Sequence, residues 1–302
     1  MSTTIHITRA GPSTTLQDIG RFGALQHGIS ASGPMDRSAF LRAGLLLDRP
    51  AGTAIELTRA GIGFAVVGGP CAAAFDGGKF SLRVNGRVRA WPAAVNLKDG
   101  DVVEVTPGAA GNYAYLRFDR EVDVPLLVGS RATNLVAGIG GFGGRALKAG
   151  DALTLMAHRP EPMPAPQPTR SGEGPIRFIW GLHADLFETP TRQAFIEAKF
   201  AVSTRLDRMG VRLADPAGVF AGAPILSLVS DAIVPGDIQI LGDGTPIVLM
   251  RDHQPTGGYP RIATVISADL DRFAQLRPGS ELAFQPVTLQ KARQIYLQGR
   301  AS

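Results

Sequence analysis

The residues best equipped for chemistry fall in three polar segments rich in glycine and charge. An apolar run over 246–250 reads as a strand that delivers Asp252 and His253 to its end, with Thr256, Gly257, Gly258 and Tyr259 close behind. Two adjacent glycines let backbone N–H groups come close to a ligand carbonyl or anion. Asp252 and His253 are neighbours, so on a strand their side chains diverge and each needs a partner elsewhere. The competing reading is a turn with Asp252 solvated and His253 on the surface. A second segment, over 11–21 and 28–36, holds Gln17, Arg21, Ser32, Gly33, Met35 and Asp36 in loops of the kind that carry function. Asp36 equally suits the N-cap of a helix. The third segment, 204–213, offers Arg208 either to a ligand carboxylate or phosphate, or to a structural ion pair with a nearby acid.

The elements that must position these groups are mostly short strands, such as 63–67, 113–118 and 246–250. The 37 glycines and 22 prolines are spread along the chain, which argues for many tight turns rather than long helices. Helices are few and have readable starts. Asp36 caps one over 38–47, Thr189 with Pro190 opens one through Phe200, Ser267 precedes one that stops at Pro278 and Gly279, and Thr288 caps the last. Alternating prolines over 159–168, continuing into 169–175, read as a semi-rigid linker between a domain over 1–158 and another over 176–302. The phrase Leu147-Lys148-Ala149-Gly150-Asp151 has counterparts in Leu97-Lys98-Asp99-Gly100-Asp101 and Leu276-Arg277-Pro278-Gly279-Ser280, each ahead of a strand. It marks either related units or a shared hairpin design. The expected class is mainly β with a few helices, in two barrel-like domains.

Composition narrows the function. A chain of 302 residues exceeds the usual reach of one core, at roughly 150 residues per domain. Its 44% hydrophobic and 19% charged residues leave no case for disorder. The net charge of +5 comes from scattered, mostly arginine residues without a recognition helix or stacking aromatics, so no nucleic-acid partner is expected. Cys71, the one cysteine, excludes a disulfide framework, suits a reducing compartment, and sits in a small apolar run as a buried structural thiol. Neither a leader nor a membrane span of roughly 18 apolar residues is readable, so the expected location is the cytoplasm. Gly138-Ile139-Gly140-Gly141-Phe142-Gly143 has the spacing of a dinucleotide loop, but Gly144, Gly150 and Asp151 restart turn chemistry where a helix is needed. Five separated histidines give no metal site, and without a Walker-type loop any ATP chemistry needs a partner or an unconventional site.

Five phrases, at 11–21, 28–36, 129–133, 207–213 and 252–260, resemble the allophanate hydrolase subunit 2 family in the same order along nearly the whole chain. That family includes the C-type component of ATP-dependent 5-oxoprolinase and the biotin-dependent carboxyltransferase domain of urea amidolyase. The resemblance implies two tandem cyclophilin-like β-barrel domains. It implies a subunit 1 (B-type) partner in a heterodimer or larger assembly, and an A-type 5-oxoprolinase subunit beside it. It further implies a small-molecule pocket lined by Gln17, Arg21, Ser32, Gly33, Met35 and Met209, together with Gln239, Thr256, Gly257, Gly258 and Tyr259. Asp252, His253, Arg208 and Asp36 become the catalytic candidates. Asp252 would orient a polar group or transfer a proton, and Gly257 and Gly258 would donate N–H groups to a carbonyl oxygen as it gains charge.

The activity so implied is the ATP-dependent opening of 5-oxoproline to glutamate, with this chain helping to activate the ring amide. A second implied activity is transfer of a carboxyl group from carboxybiotin to urea or a relative; no biotin-acceptor Met-Lys phrase occurs, so the carrier is supplied in trans. A third is non-enzymatic, the antagonism of a kinase inhibitor. The chain departs from the family pattern where Tyr115-Leu116 leads into Arg117-Phe118-Asp119-Arg120-Glu121, and at Gly44, 47–50 and Pro255.

Overall fold

The computed structural model describes residues 2–49, 52–157, 168, 172–222 and 227–301. The chain divides into two compact units, Met1–Gly23 with Ala31–Pro168, and Ala24–Ser30 with Thr169–Ser302. Of the linker expected over 159–175, residues 159–167 and 169–171 lie outside the described residues.

The first unit is built on a nine-stranded sheet. Its spine is formed by Cys71–Val84 and Val102–Phe118, which pair antiparallel from Ala73 opposite Phe118 to Val84 opposite Val103, with irregular register between Gly77 and Phe80. Thr3–Ala10 shows why these segments become strands. Ile5 and Ile7 are buried while His6 between them is exposed, the two-residue alternation that puts one face on a core. Ile5, Phe64, Phe75 and Leu116 belong to that core. Helix Arg37–Leu45 buries Ala39, Phe40, Leu41 and Ala43. Its first turn is closed by the Asp36 carboxylate, which accepts from the Ala39 N–H at 2.8 Å.

The second unit is a closed barrel of seven strands. In order they are Ile176–Trp180, Arg261–Val265, Asp237–Ile240, Pro246–Leu249, Gly210–Ala214, Lys199–Leu206 and Glu281–Pro286, the last returning to pair in parallel with the first. Its core is aromatic, with Phe195 at 5.0 Å from Phe284 and 5.3 Å from Phe178 between ring centroids. The helix expected to run through Phe200 is shorter, Thr189–Glu197. Ala198 is already extended, and Phe200 pairs with Leu282 and is buried in the aromatic core, so burial in the barrel outweighs helical continuation.

The mainly β, barrel-type class read from the sequence holds, with four α-helices among the described residues. The recurring Leu-Lys phrase is a turn and not a hairpin. The N–H of Lys98 donates to Asp101 at 2.8 Å and that of Lys148 to Asp151 at 2.8 Å, while the residue at the Asp or Ser position donates back to the carbonyl of Lys98, Lys148 or Arg277. Ala93–Leu97 and Val102–Phe118 on either side of one such turn pair with other strands. No described helix is long and apolar enough to cross a membrane.

Candidate functional site

In the first unit the loop ahead of helix Arg37–Leu45 is held from beneath by side chains of three strands. Gln17, fully buried on Thr15–Gln17, accepts from the Gly33 N–H at 3.1 Å, and its own amide donates to Thr15 Oγ1 and the Thr133 carbonyl. Glu56, on Ala54–Leu57, accepts from the Met35 N–H at 2.8 Å and from the Tyr115 hydroxyl at 2.8 Å. The Asp36 N–H donates to that same hydroxyl at 2.7 Å. Burial, and then the charge of Glu56, hold the Tyr115 phenol well above its ordinary pKa, so it stays a protonated donor to Glu56. Above this platform Ser32 takes a left-handed φ of 55°, and its buried hydroxyl has no hydrogen-bond partner among the described residues. Strained backbone and an orphaned hydroxyl on a rigid support are features that binding loops accumulate.

Sequence reasoning missed Glu56 and Tyr115. A carboxylate inside the apolar run Ala54-Ile55-Glu56-Leu57 was the available signal, because such a charge is buried only with partners. Arg21 belongs to the fabric of this unit. Its guanidinium donates to the carbonyls of Leu127 at 2.9 Å and Ala132 at 2.8 Å, which ties the 126–132 segment down.

In the second unit Asp252 and His253 are buried, which corrects the reading of a solvated turn. Arg208 and Asp252 meet in a two-point ion pair at 2.8 and 3.1 Å, with only 4% and 1% of their side-chain surfaces exposed. The Asp252 N–H donates in turn to the Arg208 carbonyl at 2.7 Å. Two of the four catalytic candidates are thus locked together. His253 Nδ1 lies 2.6 Å from the Gln254 carbonyl, which makes it the protonated ring nitrogen. Burial lowers the His253 pKa, favouring the neutral ring.

Thr256–Gly257 pairs with Asp231–Ala232 in a short ribbon, and the Gly258 carbonyl accepts from the Leu228 N–H at 2.8 Å. Glycine at 257 has a packing reason: a Cβ there would come within 2.5 Å of Gln239 Nε2. Arg261, another residue the sequence reading passed over, holds the ribbon by donating to the Ala232 carbonyl and the Asp231 carboxylate, each at 2.7 Å.

A cleft of about 450 Å³ opens on this unit. Met209, Gln239 and Tyr259 of the expected pocket line it; Arg208, Asp252, His253, Thr256, Gly257 and Gly258 are absent from its wall. Ile247 and Leu249 form an apolar floor, and Arg205, Arg212 and Asp207 supply charge. Gln239 is 1% exposed, yet its Nε2 makes no hydrogen bond among the described residues. A buried donor without a partner costs stability unless something completes it. Among the described residues no cluster of three or more His, Cys, Asp or Glu could hold a metal ion.

The family model described as carboxyltransferase domain, subdomain A and B, matches residues 27–286. The C-type component of the 5-oxoprolinase of Escherichia coli (strain K12) is 34% identical over 305 residues, spanning 95% of this chain and 93% of its own length. The urea amidolyase of Saccharomyces cerevisiae is 30% identical over 97% of this chain, but over only 17% of its own length. Among solved structures, the Kluyveromyces lactis urea carboxylase superposes with a TM-score of 0.86 at 29% identity, across 96% of this chain and 28% of that one. The K. lactis urea amidolyase does so with the same TM-score, the chain spanning 19% of its length.

Proposed function

The chain belongs to the carboxyltransferase domain family, subdomains A and B, and from that premise we propose that it serves as the C-type component of a 5-oxoprolinase. The observation that carries this reading is the end-to-end match to a free-standing component of that kind, at 95% and 93% of the two lengths. In this reading the chain works in an assembly with A- and B-type subunits that spends ATP to activate the ring amide of 5-oxoproline for opening to glutamate. ATP is a substrate of the assembly. The glycine run 138–143 is followed by turns and not by a helix, so the phosphate cradle its spacing hints at is not formed by that run.

The test is reconstitution with the A- and B-type subunits. ATP hydrolysis that depends on 5-oxoproline, with matching glutamate release, is expected, and omission of this chain abolishes it. A complete mixture that hydrolyses no ATP in response to 5-oxoproline removes the reading. A second reading, carboxyl transfer from carboxybiotin on a separate carrier to urea or a relative, is supported by the likeness to the K. lactis urea carboxylase structure. Urea-dependent turnover with a biotinylated carrier, and none with 5-oxoproline, would favour it.

A further inference from the structure

The cleft on the barrel has a chemical asymmetry that follows from strand register. Gln239 and Arg212 are both register partners of Ile247, one on each side, so the three side chains stand in one row on one face of three adjacent strands. The neighbouring row, Ile238, Val248 and Val211, is buried in the barrel core, so the Gln239 row faces outward into the cleft. With strands about 4.8 Å apart, the Gln239 and Arg212 backbones lie about 10 Å apart across an apolar floor. Gly210, next to Arg212, keeps that floor open, because a Cβ there would come within 2.8 Å of Ile247 Cδ1.

At one end of the row stands a carboxamide with an unsatisfied donor. A carboxamide offers N–H and C=O side by side, the complement of the C=O and N–H of a cis ring amide. At the other end the guanidiniums of Arg212 and Arg205 make no hydrogen bond or ion pair among the described residues. Arg212 acts on Asp243 only at longer range, as a minor cause, after the Thr245 N–H and hydroxyl, of that carboxylate's lowered pKa. The acid in the cleft wall, Asp207, already accepts the Met209 and Gly210 N–H groups at 2.7 and 3.0 Å.

From this we infer that the cleft binds a small cyclic amide bearing a carboxylate, with Gln239 reading the ring amide and Arg212 selecting the anion over neutral amides and ureas. The inference deepens the proposed function and rests on it for the choice of probe, 5-oxoproline, with 2-pyrrolidinone as its uncharged counterpart. Binding is measured by titration calorimetry on the chain and on the reconstituted complex. Wild type is expected to prefer 5-oxoproline to 2-pyrrolidinone by at least about tenfold, the size of one charged hydrogen bond. Arg212→Gln is expected to erase most of that preference while leaving 2-pyrrolidinone unchanged, and Gln239→Leu to weaken both ligands. Arg212 is half-exposed, so its variant should keep the wild-type melting temperature and the test does not hinge on Gln239→Leu folding. An unchanged preference in Arg212→Gln, or no binding by wild-type chain and complex alike, overturns the assignment. A complex that turns over 5-oxoproline with the same KM in Arg212→Gln also overturns it and leaves the proposed function intact. Arg212-dependent binding in a complex without 5-oxoproline turnover does the reverse.

Discussion

At the scale of the residue, the Arg208–Asp252 pair shows how far local pattern reaches. The sequence offers Arg208 either to a ligand or to a nearby acid, and nothing in its spacing decides, because the acid is 44 residues away. Folding decides by burying both charges with two hydrogen bonds between them. The pair therefore makes a prediction of its own. Asp252→Ala takes a two-point ion pair away from a buried guanidinium, and should lower unfolding stability in urea by about 3–5 kcal/mol. The double variant Arg208→Met with Asp252→Ala removes both buried charges together and should lose less than Asp252→Ala alone. Wild-type stability in Asp252→Ala, with turnover lost, would instead assign Asp252 to chemistry. His253 carries the same lesson, since its adjacency to Asp252 gives no hint that its ring would be buried and pinned by the next residue's carbonyl.

At the scale of the element, helix caps and strand alternation were legible because they depend on neighbours in sequence. Asp36 does close its helix, and Thr288 Oγ1 accepts from the Lys291 N–H at 3.1 Å at the start of the last one. The support beneath the Ser32–Asp36 loop was not legible, because Glu56 and Tyr115 come from separate strands that meet only through sheet pairing, where the two residues are register partners. Tyr115→Phe deletes the acceptor of the Asp36 N–H and one donor to Glu56. Losing these two buried hydrogen bonds should cost about 1–3 kcal/mol. Faster hydrogen exchange at the Met35 and Asp36 amides is expected, with little change in Ile5 or Ile7 on a distant strand. Exchange unchanged at 35 and 36 would show that the loop does not depend on this platform. The misjudged end of helix Thr189–Glu197 has the same origin: the window through Phe200 suits a helix, and only the barrel's need for an aromatic there ends it.

At the scale of the molecule, chain length implies two cores, and each unit has one, but the grouping of residues 24–30 with 169–302 is a long-range association that no local pattern encodes. The two units also differ in which pH should weaken them. In the second, burial lowers the pKa values of His253 and His183 below 6.5. Above 6.5 folded and unfolded forms are both neutral at these rings. As pH falls through 6.5 the unfolded chain takes up protons that the folded barrel refuses, so stability is lost from 6.5 downward to the folded values. In the first unit, burial pushes the Cys71 thiol from 9.0 up to about 12. Below 9 both forms keep the proton; between 9 and about 12 only the unfolded chain ionises, and stability is lost as pH rises. The chain's two tryptophans separate these effects, since Trp91 packs on Phe80 and Phe75 in the first unit and Trp180 on Phe178 and Phe195 in the second. In Trp91→Phe, fluorescence of Trp180 should report a urea midpoint that falls between pH 6.5 and 5. In Trp180→Phe, that of Trp91 should hold over the same range and fall above pH 9, and Cys71→Ala should postpone the alkaline fall to about pH 10 and above, where the Tyr115 phenol, also raised by burial, ionises first in the unfolded chain. Parallel pH profiles from the two reporters would mean that protons act on the chain as a whole and not on each core through its own buried groups.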